Sequence, residues 1–122
     1  MSRYRAIDVR IWYDDKFPKL SDDSKLLFFY LLTNPRGTML GISVQGRTDI
    51  AEFLGWSLKR LAKPFAELLR ERLIGYHENS RTLYLPHFLR YNPIDNENQA
   101  KAAAKCLDDI PQNCPYFQDI KL

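Results

Sequence analysis

Cysteine, histidine and glycine are all scarce in this chain, and each shortage removes a class of function. Only two cysteines occur among 122 residues, Cys106 and Cys114, both near the C-terminal end. One pair at that spacing matches no zinc pattern, and free thiols in a reducing cytoplasm are the ordinary expectation. The two histidines, His77 and His87, fall in or just after predicted strands. A solvated or hydrogen-bonded structural role is the common use of such residues, and neither has an evident catalytic pairing. The five glycines build no phosphate-cradling loop and no nucleophile elbow. Asp14 and Asp15 are adjacent carboxylates, and in an extended segment adjacent side chains point to opposite faces, a poor metal clamp. Long hydrophobic runs are also missing: Leu26 to Leu32 is the longest, at seven residues, against about 20 for a membrane-spanning helix. The start, MSRYRAIDVR, alternates charge with apolar residues and does not read as a signal peptide. The expectation is a cytoplasmic non-enzyme with no cofactor, no metal and no membrane partner.

What is present is a core of ordinary size, with 45% hydrophobic and 27% charged residues and a net charge of +3. That length fits one domain, and the charge permits an acidic partner without demanding one. AIDVRIWY places Ile7, Val9 and Ile11 in alternation with Asp8, Arg10 and Trp12, the period of a strand or extended arm. LSDDSKLLFFYLLTNP reads as a helix capped by Ser21, with Asp22 and Asp23 at its positive end and Pro35 as its stop. Its run from Leu26 to Leu32 predicts burial on most sides. TMLGISVQ reads as a short strand between Gly37 and Gly46. TDIAEFLG reads as a short helix capped by Thr48, with Ile50, Ala51, Phe53 and Leu54 as its apolar face and Gly55 closing it. Trp56 occupies the turn, and Ser57 caps the next helix. LIGYHE and RTLYLP are two strands joined by the polar tip ENSR. NENQAKAAAKCLDDI is a last helix capped at or near Asn96 and stopped by Pro111, followed by an irregular tail.

Helix, strand, short helix, longer helix, strand, strand is the order of an α+β winged helix-turn-helix. The predicted layout is a single domain over residues 1–122, with an N-terminal arm or strand at 1–20, the winged helix at 21–90 and an added helix and tail at 91–122. The spacing of the third helix agrees with that fold. From Ser57, apolar residues fall at the expected positions Leu61, Phe65 and Leu68, and the pair Leu73 and Ile74 opens the first wing strand. That register leaves Lys59, Arg60 and Lys63 off the apolar stripe, in the turns where a recognition helix meets a major groove. A charged helix face usually means only solvation. Here the preceding short helix and the register make Ser57, Lys59, Arg60 and Lys63 the predicted contacts to double-stranded DNA, with Arg81 at the wing tip reaching phosphate.

Two residues depart from the pattern. Pro64 sits in the predicted recognition helix, where proline costs about 3 kcal/mol. Either the helix kinks with its register intact, which the retained apolar spacing favours, or two segments meet at Lys63 and a new helix begins with Pro64 in its first turn. Arg72 stands where glycine is usual at the helix-to-strand turn. It must take a left-handed conformation or close the helix differently.

The stretches LSDDSKLLFFYLLTNP, GWSLKR, LIGYHENSRTLYLPHFLRYNPI and IPQNCPYF together resemble the N-terminal winged-helix domain of phage replisome-organiser and replication-initiation proteins, with DnaD-type primosomal proteins as more distant relatives. The resemblance runs from about Ile7 to Phe117. It implies duplex DNA binding at a phage or prophage origin, self-association as a homodimer or larger assembly, and contact with replication proteins such as a helicase loader. Longer members carry a further C-terminal domain, so the expectation is a stand-alone domain or a truncated member. Gln45 and Gly46 depart from the Leu-Pro that often precedes the second helix. The competing expectations are a protein-interaction module for primosome assembly, with Trp12, Tyr13, Phe17, Tyr116 and Phe117 as a contact surface, and a phage transcriptional regulator.

Overall fold

The computed structural model describes residues 4–37, 41–86 and 96–106. His87, the FLRYNP stretch, Pro111, Cys114, Tyr116 and Phe117 lie outside the described residues. Among those described, the chain is α+β, with four α-helices and a three-stranded antiparallel sheet.

The N-terminal segment is where sequence periodicity misleads. The predicted strand or extended arm is instead a 3-10 helix, Val9–Tyr13, capped by Asp8, whose carboxylate accepts from Arg10 N at 2.9 Å. A second 3-10 turn spans Phe17–Lys19. Three residues per turn destroy the alternation, so Ile11 is buried while Val9 is 75% exposed. Phe17 is buried too, and packs edge-on to Trp12 and Phe29 at 5.3 and 5.1 Å between centroids. The segment is a hydrophobic wedge in the core.

Helix α1, Asp22–Thr33, starts as predicted: the Ser21 hydroxyl accepts from Ser24 N. Its apolar run is covered on most sides, as predicted. Leu27, Phe28, Leu31 and Leu32 are buried, whereas Leu26 is exposed and Phe29 and Tyr30 are half-buried. Strand β1 is Ile42–Val44. Helix α2, Arg47–Leu54, is capped by Gly46 and not by Thr48, which lies inside the first turn. The Asp49 carboxylate reaches back to Gly46 N at 2.8 Å and satisfies that donor. Ile50 and Ala51 are buried, but Phe53 is exposed, so the apolar face of α2 is narrower than predicted. Gly55 ends α2 with φ 71°, a conformation suited to glycine.

Helix α3, Leu58–Arg70, is unbroken and carries Pro64 inside it. Two segments meeting at Lys63 are therefore excluded. Leu61, Pro64, Phe65 and Leu68 form one buried face. Burying three large side chains contributes roughly 1.5–3 kcal/mol each, which exceeds the proline cost of about 3 kcal/mol. Arg72 takes the left-handed conformation, with φ 59°. Leu73 N bonds Leu68 O and Arg72 N bonds Leu69 O, a Schellman ending built without glycine. Strands β2, Gly75–His77, and β3, Thr82–Tyr84, pair as a hairpin, and β1 joins on the other edge of β3, giving the order β1-β3-β2. A last helix, α4, covers Glu97–Cys106; Asn96 Oδ1 accepts from Gln99 N at 2.8 Å, the cap expected at that residue.

The core gathers Ile11, Phe17, the inner face of α1, Ile50, Trp56, the buried face of α3, and Leu73, Ile74, Leu83 and Leu85. All five apolar positions counted from Ser57 are in it.

A candidate nucleic-acid interface on α3

Because α3 buries one face, its opposite face is fixed. At 100° per residue, Lys59, Ala62, Lys63, Ala66 and Arg70 share one stripe, and all five are exposed. Lys59 and Lys63 have no hydrogen-bond or ion-pair partner among the described residues. Arg70 approaches Glu67 at 3.8 Å and remains mostly exposed. The alanines keep the stripe low between the cations, so an approaching surface could come close to the helix backbone.

The flank facing α1 differs. Arg60 Nε and Nη2 donate to the two Asp23 oxygens at 3.1 and 3.0 Å. The guanidinium also lies 4.5 Å from the centroid of the Trp56 ring. Hydrogen bonding from Arg60 lowers the Asp23 carboxyl below its ordinary range. Two helical turns on, Glu67 Oε1 accepts from Ser21 N and Ser21 Oγ, each at 3.1 Å. Bonds from the Ser24 hydroxyl, then from the Ser21 backbone, lower its carboxyl as well. Ser57 is occupied by capping: its hydroxyl accepts from Arg60 N at 3.1 Å. Between the starts of α1 and α3 lies an open groove of about 660 Å³, lined by Ser21, Asp22 and Asp23 on one side and by Ser57, Lys59, Arg60, Lys63 and Pro64 on the other.

No family model, curated protein or solved structure matches the chain. The geometry alone carries the assignment of roles.

The structure thus brings Ser57, Lys59, Arg60 and Lys63 together. Arg81 lines a different hollow, with Gly46, Arg47, Thr48, Asp49, Tyr76 and Glu78, at the start of α2. It sits at the hairpin tip with φ 51°, held there by Arg81 N bonding Glu78 O and by Gln45 N bonding Arg81 O at 2.8 Å. Its side chain has no hydrogen-bond or ion-pair partner among the described residues. Neighbouring Arg47 is committed: it pairs with Glu78 at 2.7 Å and covers the Phe65 ring at 4.1 Å.

Beneath the hairpin, Gln45 is 1% exposed and fully satisfied. Its Nε2 donates to Ser43 Oγ at 2.8 Å and Asn34 Oδ1 at 3.3 Å. Its Oε1 accepts from Tyr30 OH at 3.1 Å, and its backbone carbonyl accepts from Tyr76 OH at 3.2 Å. Burial raises the Tyr30 hydroxyl to about 12. Gln45 is therefore the polar anchor joining α1 to the hairpin.

Among the described residues, no three His, Cys, Asp or Glu side chains gather as metal ligands would. No described helix is long and apolar enough to cross a membrane. Sequence reasoning missed Arg70 and the partners of Arg60. The first was findable, since it lies eleven residues, three turns, after Lys59. Trp56 was findable too, one turn before Arg60; Asp23 was not, because nothing local links residue 23 to residue 60.

Proposed function

We propose that this is a winged-helix module that binds duplex DNA, with α3 as recognition helix and the β2–β3 hairpin as wing. We further propose that it acts as a cytoplasmic binder rather than an enzyme, in replication initiation of the phage type that its sequence resembles. The observation that carries the reading is the outer stripe of α3, where Lys59 and Lys63 stand exposed and uncommitted above a fully buried apolar face. A cation committed to the fold has an acidic partner, as Arg47 has in Glu78. The unpaired tip residue Arg81 supports a wing contact to phosphate, which positions the protein without reading sequence.

A duplex titration at two salt concentrations tests this. With about four phosphate contacts, affinity falls roughly 100-fold between 50 and 200 mM salt. Changing both Lys59 and Lys63 to Ala flattens the logarithmic slope by about two units. Salt-independent binding, or a folded double variant that binds like the parent, rejects the assignment.

A second reading, a protein-assembly module, is favoured by one feature. Val9, Trp12 and Tyr13 are exposed on the N-terminal wedge, Trp12 by 56% and Tyr13 by 86%. Apolar residues grouped this way often mark a contact surface. Sedimentation of the parent and of Trp12→Ala at the same concentrations separates this reading from the first. Loss of association with DNA affinity unchanged assigns the wedge to assembly and α3 to DNA.

A further inference from the structure

The three cations at the start of α3 are not equivalent, and their difference implies a division of labour. Lys59 and Lys63 are single ammonium groups on flexible stems. Arg60, between them in sequence, is fixed on two sides. Its Nε and Nη2 form a side-on pair with Asp23, and its guanidinium carbon lies over the Trp56 ring, 4.5 Å from the centroid. A guanidinium has five N–H donors in a plane. The side-on pair takes two of them, which leaves the outer edge with one donor on each terminal nitrogen, parallel and unused by Asp23. The side chain is still 52% exposed, so the contacts that fix it do not bury it.

We propose that Arg60 is the base-reading residue of α3, and that Asp23 and Trp56 are positioning residues that aim its outer donor pair at O6 and N7 of a guanine in the major groove. This rests on the DNA-binding reading of α3. Arginine to O6 and N7 is a bidentate match that lysine cannot reproduce. A flexible arginine loses side-chain freedom on binding, whereas one already fixed in the free protein has lost it beforehand, so more of the contact energy appears as discrimination. Lys59 and Lys63, one residue before and three after, suit the flanking phosphates, where direction matters less. Asp23 can hold this arrangement because it sits in the first turn of α1, where the helix dipole favours a carboxylate.

Selection from a pool of randomised duplexes tests the proposal. The parent, Arg60→Lys, Asp23→Asn and Lys63→Ala are each carried through the same rounds, and thermal melting verifies that every variant folds. The expected result is a guanine enriched at one position by the parent. That preference drops by roughly 10- to 100-fold in Arg60→Lys and Asp23→Asn, while Lys63→Ala weakens all sequences alike. A guanine preference that survives in either Arg60→Lys or Asp23→Asn overturns the proposal. So does an Asp23→Asn protein that binds every duplex more tightly, because Asp23 would then be withholding Arg60 from DNA. A parent that binds duplexes without a guanine preference removes the inference and leaves the DNA-binding reading standing. A parent retained on no duplex removes both.

Discussion

The two sides of α3 use the same residue types in opposite ways. On the side facing α1, charges are held by partners within the fold: Arg60 by Asp23, and Glu67 by Ser21 and Ser24. On the outer side, Lys59 and Lys63 have no partner among the described residues and alternate with the small Ala62 and Ala66. A charge bound to a neighbour orients an element. A charge left in solvent adds little to stability and is available to something else. The helix therefore separates held charges from free ones by roughly a quarter turn, and this separation can be tested by substitution.

The largest effect should come from the buried face. Phe65 is fully buried against Tyr76, with ring centroids 5.3 Å apart and near-perpendicular planes. Phe65→Ala should lower the unfolding free energy by about 3–5 kcal/mol, read from urea denaturation. Lys63→Ala should stay within about 0.5 kcal/mol of the parent while weakening DNA binding. Equal stability losses in the two variants would abolish the separation.

Next comes the polar anchor. Gln45→Leu keeps the approximate volume but removes the partners of Tyr30, Asn34 and Ser43. Leaving a buried polar group unsatisfied costs about 1–3 kcal/mol, so a loss of about 2–3 kcal/mol is expected. A variant as stable as the parent would show that water replaces the amide without penalty.

How much of this was legible in the sequence depends on whether the deciding contact was local. The caps at Ser21, Ser57 and Gly55 and the register from Ser57 to Ile74 rest on neighbours within a few turns, and the structure has them all. Thr48 failed as a cap because two good candidates, a threonine and a glycine with Asp49 three residues on, stood two residues apart. The alternation from Ile7 to Ile11 failed for a different reason. A strand needs a partner strand, and among the described residues the sheet seats only β1, β3 and β2, so the aromatic wedge found helical turns instead. Arg60 was legible as an exposed cation but not as a fixed one, because Asp23 arrives through the packing of α1 on α3. Gln45 could be seen as unusual, yet its role required four residues from three elements to converge.

Pro64 gives a smaller effect of opposite sign. Its ring sits on the buried face, but its nitrogen cannot donate to the Arg60 carbonyl. Pro64→Ala regains that hydrogen bond and relieves the ring clash. It loses some buried contact and loosens the unfolded chain by about 0.4–1 kcal/mol. A net gain of about 1 kcal/mol follows from these opposing terms, seen as a higher melting midpoint. Because the first turns of α3 would be re-aimed, DNA affinity should also change. A lower midpoint would mean that the ring's packing outweighs the missing donor.

The smallest effect separates the two sides by acid alone. Asp23 and Glu67 have carboxyl groups lowered below their reference values of 3.8 and 4.5 by the hydrogen bonds they accept in the folded state. Unfolding releases those bonds and returns both groups toward the reference values. The unfolded chain therefore takes up protons first as the pH falls, and stability declines with it. The contribution is fully present above about pH 4.5. It is lost progressively below that point, as the pH passes the reference values and then the lowered folded ones. A melting series from pH 7 to pH 3 should show this decline. In Glu67→Gln the decline should be shallower, since the amide cannot take up the proton and still presents an oxygen to Ser21. Lys63→Ala lies on the outer face, away from both carboxylates' hydrogen bonds, and should follow the parent's curve. If instead Glu67→Gln tracks the parent and Lys63→Ala departs from it, the charges that hold α1 to α3 are not the ones facing α1.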